Sequence, residues 1–261
     1  MARIVTAHPA ARYSPRNPFC QHRLRLWPNL YLTPTGASRN HEGMRRILVS
    51  VGAAVSAAFL AVASAPPGAA QPPWFATNVG EATQVLSVVS TGGSTAKIDV
   101  WQRGATGWQP VGTGIPAHVG ANGMVAQSHD GNMATPMGVF SLDFAFGTQP
   151  NPGGGLKYVQ VTPDYWWSSE GATYNTMQVC KKADCTFDTS PASGTENLYI
   201  PQYAHAIVMG VNKERIPGNG GAFFVHTTDG GPTAGCVSLD DDTLVKIIRW
   251  LQPGAVIAIA Q

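Results

Sequence analysis

Two residue types with nucleophile and base chemistry lie ten positions apart near the end of the chain. The stretch Ala222-Phe223-Phe224-Val225-His226-Thr227-Thr228-Asp229-Gly230-Gly231-Pro232-Thr233-Ala234-Gly235-Cys236-Val237 carries an apolar strand to a histidine. It then crosses a Gly/Pro loop and reaches a small-Gly-Cys-apolar step. A cysteine nucleophile needs a base within hydrogen-bond reach and donors near its sulfur for the developing oxyanion. His226 is suited to take the Cys236 proton, because an adjacent imidazolium lowers a thiol pKa. Backbone N–H groups at Ala234, Gly235 and Cys236 are candidates for the oxyanion donors. The same spacing also fits an inert buried thiol and an ordinary strand histidine. Asp229 is either a triad carboxylate or an exposed turn aspartate.

The other cysteines sharpen the choice. Cys180 and Cys185 stand in Cys-Lys-Lys-Ala-Asp-Cys, the spacing of a small-loop disulfide or of half a zinc site. No second Cys pair or paired His completes a metal set, so the disulfide is expected; with Cys20 in the leading segment outside the expected exported domain, Cys236 is left over. An odd thiol in an exported chain is intermolecular or reactive.

These residues need a scaffold. Strand-like runs occur at 84–89, 96–101, 138–144, 156–161, 206–211, 222–226 and 255–260, separated by turn clusters such as Asn151-Pro152-Gly153-Gly154-Gly155. One helix is expected, capped by Asp240 to Asp242, with Leu244, Val245, Ile247, Ile248 and Leu251 on its apolar face and Pro253-Gly254 ending it. The fold class expected is mostly β with one C-terminal helix. Asp164, Tyr165, Trp166, Trp167, Tyr174 and Asn175 form an aromatic insertion that either lines a groove or makes its own small core. His205 lies in an apolar strand, as a substrate contact or a hydrogen-bonded strand histidine. His118 and His129 fall in Gly-rich loops and are expected to be solvated.

Composition bounds the rest. The 261 residues include 29 Gly and 20 Pro, and only 12% are charged, about half the usual share. This excludes a charge-driven disordered chain and a long coiled coil. Charge is unevenly placed: residues 1–70 carry eight Arg and one acid, Glu42, whereas residues 71–261 carry nine bases and fourteen acids. The basic excess is assigned to a targeting segment rather than to nucleic-acid binding. Met44-Arg45-Arg46, the apolar run 47–63 and the small residues at 63–70 have the order of a secretory signal. The expected organisation is an upstream extension at 1–43, disordered or preceding a true start at Met44. A signal peptide follows at 44–70, then an exported domain at 71–261, with membrane contact only through the signal. An uncleaved anchor is the alternative.

The segment around Cys236 resembles the catalytic motif of the YkuD-type L,D-transpeptidases. Thr233, Gly235 and Cys236 match the family's Ser/Thr-His-Gly-Cys step. Ala234 replaces its second His, and Ser238 stands where Asn or Arg is usual. A branch carrying Pro-Thr-Ala-Gly-Cys-Val fits 232–237 without a gap. Asp130–Phe140 resembles the family's Asp-Gly-x-Thr-Pro-x-Gly-x-Phe segment, and Tyr203–Asn212 its Tyr-containing strand.

The resemblance implies a β-sandwich-like domain and a reaction without metal or organic cofactor. Cys236 attacks the third residue of a peptidoglycan stem peptide, with His226 as base and then acid, oriented through the backbone of Thr227. The thioester passes to an amine, giving a cross-link, or to water, giving a carboxypeptidase. Carbapenem β-lactams are the implied inhibitors. Substrate contacts are expected at Tyr203, His205, Trp167, Thr233 and Ser238. A catalytically silent wall-binding module on the same scaffold is the competing reading. Sortases and NlpC/P60-type peptidases are disfavoured, the first by spacing and the second by the order of Cys and His.

Overall fold

The computed structural model describes residues 71–261. The expected extension, start site and signal at 1–70 lie outside the described residues. The described strands are β1 (Gln84–Gly92), β2 (Thr95–Gly104), β3 (Gly107–His118), β4 (Met124–Val125), β5 (Thr135–Pro136), β6 (Gly138–Gly147) and β7 (Tyr158–Gln160). They continue with β8 (Tyr165–Ser168), β9 (Thr176–Val179), β10 (Glu196–Asn197), β11 (Ala206–Met209), β12 (Phe224–Thr227), β13 (Val237–Leu239) and β14 (Val256–Ala260). One helix, α1 (Asp241–Trp250), lies between the last two strands. None of the described helices is long and apolar enough to cross a membrane.

Nine strands form one sheet in the order β11-β12-β13-β3-β2-β1-β14-β6-β7. The edges of β6 close it. Leu142 N–H donates to Ala255 O beside β14, while Ser141 O accepts from Gly210 N–H just past β11. β6 therefore holds β14 on one edge and β11 on the other. Alternate residues of all eight strands of this ring, from Leu86 and Ile98 round to Val225, Val237 and Ile257, bury into a single core. Opposite arcs of the sheet face one another across it, the mostly β, layered architecture expected.

The expected strands form, but several were invisible beforehand. β3 contains Pro110 and Pro116, which argue against a strand. It survives because it pairs β2 along its length, whereas β13 meets it only at Ser238↔His118. Proline lacks a donor, and such a strand can turn that gap outward. The helix matches its sequence signals. Asp240 accepts from Thr243 N–H at 3.1 Å, and Leu244, Ile247, Ile248 and Leu251 are buried. Each such side chain contributes about 2 kcal/mol; Val245 is only half-buried.

The segment between β7 and β11 forms a small second sheet, β10-β8-β9. Trp167, Leu198 and Tyr203 pack with Phe146, Ala206, Val208, Phe224 and Cys236 on the outer face of β6, β11 and β12. The aromatic insertion thus shares a core with the outer face of the main sheet. Trp166 Nε1–H donates to Cys180 O at 3.1 Å, and Trp167 Nε1–H to Asn175 Oδ1 at 2.9 Å. Cys180 and Cys185 are disulfide-bonded with Cα atoms 5.3 Å apart, which removes the zinc alternative.

Candidate active site

Cys236 and His226 are brought together by a parallel pair. β12 and β13 align Val225 with Val237 and His226 with Ser238. Both valines point into the main core, so strand alternation turns Phe224, His226, Cys236 and Ser238 to the other face. Cys236 stands one diagonal from His226 on that face, a Cα separation of about 8 Å from strand spacing and rise. An imidazole and a thiol together can span that gap. Cys236 is the described cysteine outside the disulfide and is buried.

The imidazole is held in one tautomer. His226 Nδ1–H donates to the carbonyl of Thr227 at 2.8 Å. Nε2 is then the nitrogen bearing the lone pair, the form a base requires. Tyr203 packs edge-to-face on the ring at 5.5 Å between centroids.

The turn before Cys236 is built by internal hydrogen bonds. Thr233 Oγ1–H donates to Cys236 O at 2.6 Å, and Gly235 N–H donates to Thr233 Oγ1 at 3.1 Å. Thr135 Oγ1–H donates to Gly235 O at 2.8 Å. Gly235 has φ +146°, and a Cβ there would lie 2.7 Å from Phe223 Cε1. Only glycine fits this conformation and space together. The thiol of Cys236 donates to Ala222 O at 3.4 Å. Ala222 is itself positioned by Asn175, whose Oδ1 accepts from its N–H at 3.1 Å.

A narrow cleft opens at Cys236 between the 129–132 loop, the 220–223 loop and Glu196. Two carboxylates line it. Glu196 is buried and accepts from Tyr203 Oη–H at 2.5 Å, and Asp130 accepts from Tyr174 Oη–H at 2.8 Å. Burial first, and then that bond to Asp130, push the Tyr174 phenol well above its ordinary value.

Tyr203, His205, Trp167, Thr233 and Ser238, expected as substrate contacts, are buried. His205 falls on the face opposite His226, because Ala206 pairs with His226 and neighbours alternate; its Nδ1 meets Asp241 Oδ1 at 3.0 Å. Tyr203 is fully buried behind His226, and Trp167 is buried against Phe224. Thr233 is buried with its hydroxyl committed to the nucleophile turn. Ser238 is buried directly across from His226, its hydroxyl 3.4 Å from Thr228 Oγ1. The Gly235 N–H, expected as an oxyanion donor, is engaged by Thr233. Each of these residues shapes the site from behind. His118, expected in a solvated loop, ends β3 half-buried in register with Ser238. His129 is exposed at the cleft, and Asp229 is an exposed turn residue that accepts from Gly231 N–H at 3.2 Å.

Sequence reasoning missed Glu196 and the role of Asn175. Neither carries a local signal, since each reaches the site through long-range packing of the insertion. Among the described residues, no group of three His, Cys, Asp or Glu is placed to hold a metal ion.

A model of the YkuD family, the L,D-transpeptidase catalytic domain, matches residues 84–259. No curated protein and no solved structure matches the chain.

Proposed function

Because the chain belongs to the YkuD family of L,D-transpeptidase catalytic domains, we propose that it is an exported cysteine acyltransferase acting on peptidoglycan stem peptides. The family's activity is acyl transfer. The finer assignment of Cys236 as nucleophile and His226 as base rests on one observation above others. The Nδ1–H bond of His226 to Thr227 O, at 2.8 Å, supports a basic Nε2 on the face that carries the Cys236 thiol.

In this reading the Cys236 proton passes to His226 Nε2, and the sulfur attacks the carbonyl carbon of the third stem residue. A C–S bond forms and the carbonyl oxygen takes the negative charge. Collapse breaks the C–N bond, and His226 returns its proton to the departing amine of the terminal residue. The thioester then meets an acceptor amine, whose proton goes to His226 as the new amide forms and the sulfur leaves. The carboxylates of Asp130 and Glu196 favour an ammonium-bearing group in the cleft, consistent with a diamino acid. The order of charged, apolar and small residues at 44–70 supports export.

Intact mass after incubation with a carbapenem tests the assignment. An adduct on the wild type, absent from Cys236→Ala, is expected. No adduct, with Cys236 also inert to a small alkylating agent, overturns it in favour of the wall-binding module.

A further inference from the structure

The residue that orients the base is itself held from the opposite face of the sheet. Thr227 is the last residue of β12 and pairs with Leu239 of β13. Its hydroxyl lies 3.4 Å from both the N–H and the carbonyl oxygen of His205, and three shorter bonds hold it. Its N–H donates to His205 O at 3.3 Å, its carbonyl accepts from His226 Nδ1–H at 2.8 Å, and its hydroxyl donates to Asp241 Oδ1 at 2.5 Å. Asp241 lies in the first turn of α1 and also meets His205 Nδ1 with both oxygens, at 3.0 and 3.2 Å. Cys236 and His226 lie on one face of the sheet, and Asp241 and His205 on the other.

We infer that Asp241 is a positioning residue for His226, acting through the Thr227 side chain to fix the carbonyl that receives the imidazole N–H. This inference rests on the assignment of Cys236 and His226 above. In a Ser-His-Asp arrangement the carboxylate holds the imidazole directly. Here a backbone carbonyl does so, and the carboxylate holds the residue that supplies it. The nearby Asp229 does not serve: it is exposed in the loop beyond the strand. Asp241 also complements the helix dipole, as does exposed Asp242 next to it. A purely helix-stabilising role would be shared by both; contact with Thr227 belongs to Asp241.

The test compares Asp241→Ala, Thr227→Val and Asp242→Ala with the wild-type chain. Two readouts are taken: the rate of carbapenem acylation, and the rate of Cys236 alkylation by iodoacetamide against pH. Misplacing a catalytic group by about 1 Å costs about 100-fold. Asp241→Ala and Thr227→Val are therefore each expected to slow acylation by about 10- to 100-fold and to shift the alkylation profile. Asp242→Ala should match the wild type. The Asp241→Ala/Thr227→Val double variant should be no slower than the worse single one, because both act through one contact. Circular dichroism and thermal unfolding separate loss of fold from loss of position. Wild-type rates and profile in both folded single variants would overturn the inference, as would equal losses in Asp242→Ala or fully additive losses in the double. If the carbapenem fails to acylate even the wild type, the stem-peptide reading falls, while the alkylation profiles still decide the role of Asp241.

Discussion

The thiol of Cys236 donates to the carbonyl oxygen of Ala222 at 3.4 Å. A carbonyl oxygen beside sulfur stabilises the thiol over the thiolate; His226 lies on the same strand face. Ala222 belongs to the cleft wall and is tethered by Asn175 of the insertion. The Cys236 thiol is thereby tied to a segment far from it in the chain.

His226 should govern the reactivity of that thiol. In the wild type, alkylation of Cys236 is expected to reach half its maximal rate below the ordinary thiol value of about 8.5. In His226→Ala the profile should rise to that value or above it, since the Ala222 contact remains. Iodoacetamide kinetics across pH, read by mass, check this. A profile indifferent to the substitution would remove His226 as the base.

Gly235→Ala should damage both fold and site. The residue has φ +146°, and its new Cβ would lie 2.7 Å from Phe223 Cε1. The strain and clash together should cost about 1–3 kcal/mol. Urea unfolding reads the first effect. Carbapenem acylation, expected to fall more than tenfold, reads the second.

Tyr203 has two separable roles. Its hydroxyl donates to buried Glu196 at 2.5 Å, and its ring packs on His226. Tyr203→Phe keeps the ring and withdraws the donor, so stability should drop by about 1–3 kcal/mol while Cys236 alkylation changes little. Tyr203→Ala should lower both. Glu196→Gln retains an acceptor and should be the mildest of the three. Denaturant unfolding and alkylation rates on the same samples separate the roles.

Tyr158 offers a check from alkaline pH. Burial first, and then the charge of Asp241, push its phenol up to about 12 from 10.0. A group whose folded value is raised stabilises the fold below its unfolded value and loses that stabilisation as pH climbs through the folded one. Stability should therefore fall between pH 10 and about 12, and Tyr158→Phe should flatten that fall. Asp241→Asn should lower the Tyr158 titration only part of the way, because burial is the larger cause. Ultraviolet titration of the phenols measures it.

The local chemistry was legible in the residues themselves. Cys236, Gly235 and His226 announced a nucleophile, a tight turn and a base because such chemistry requires those residue types close together in the chain. Asp240 and the spacing of Leu244, Ile247, Ile248 and Leu251 announced the helix, and the spacing of Cys180 and Cys185 the disulfide. β3 was hidden by Pro110 and Pro116, because a strand's tolerance for proline depends on which neighbour pairs with it.

Which side of the sheet a residue serves was decided only by the tertiary structure. His205 resembled a substrate contact along the chain, yet the Ala206↔His226 register turns it away from the site and toward Asp241. Trp167, Tyr203 and Thr233 carry groups that suit a ligand, but packing spent them on the walls behind His226 and Cys236. Glu196 reached the cleft with no local signature, and Asp241 showed only a helix-start one. Sequence determined the elements and the candidate Cys–His pair, because periodicity and residue chemistry act over short stretches. Register, burial and long-range packing determined the faces and the supporting shell, since a one-residue change of register sends every side chain of a strand to the other side.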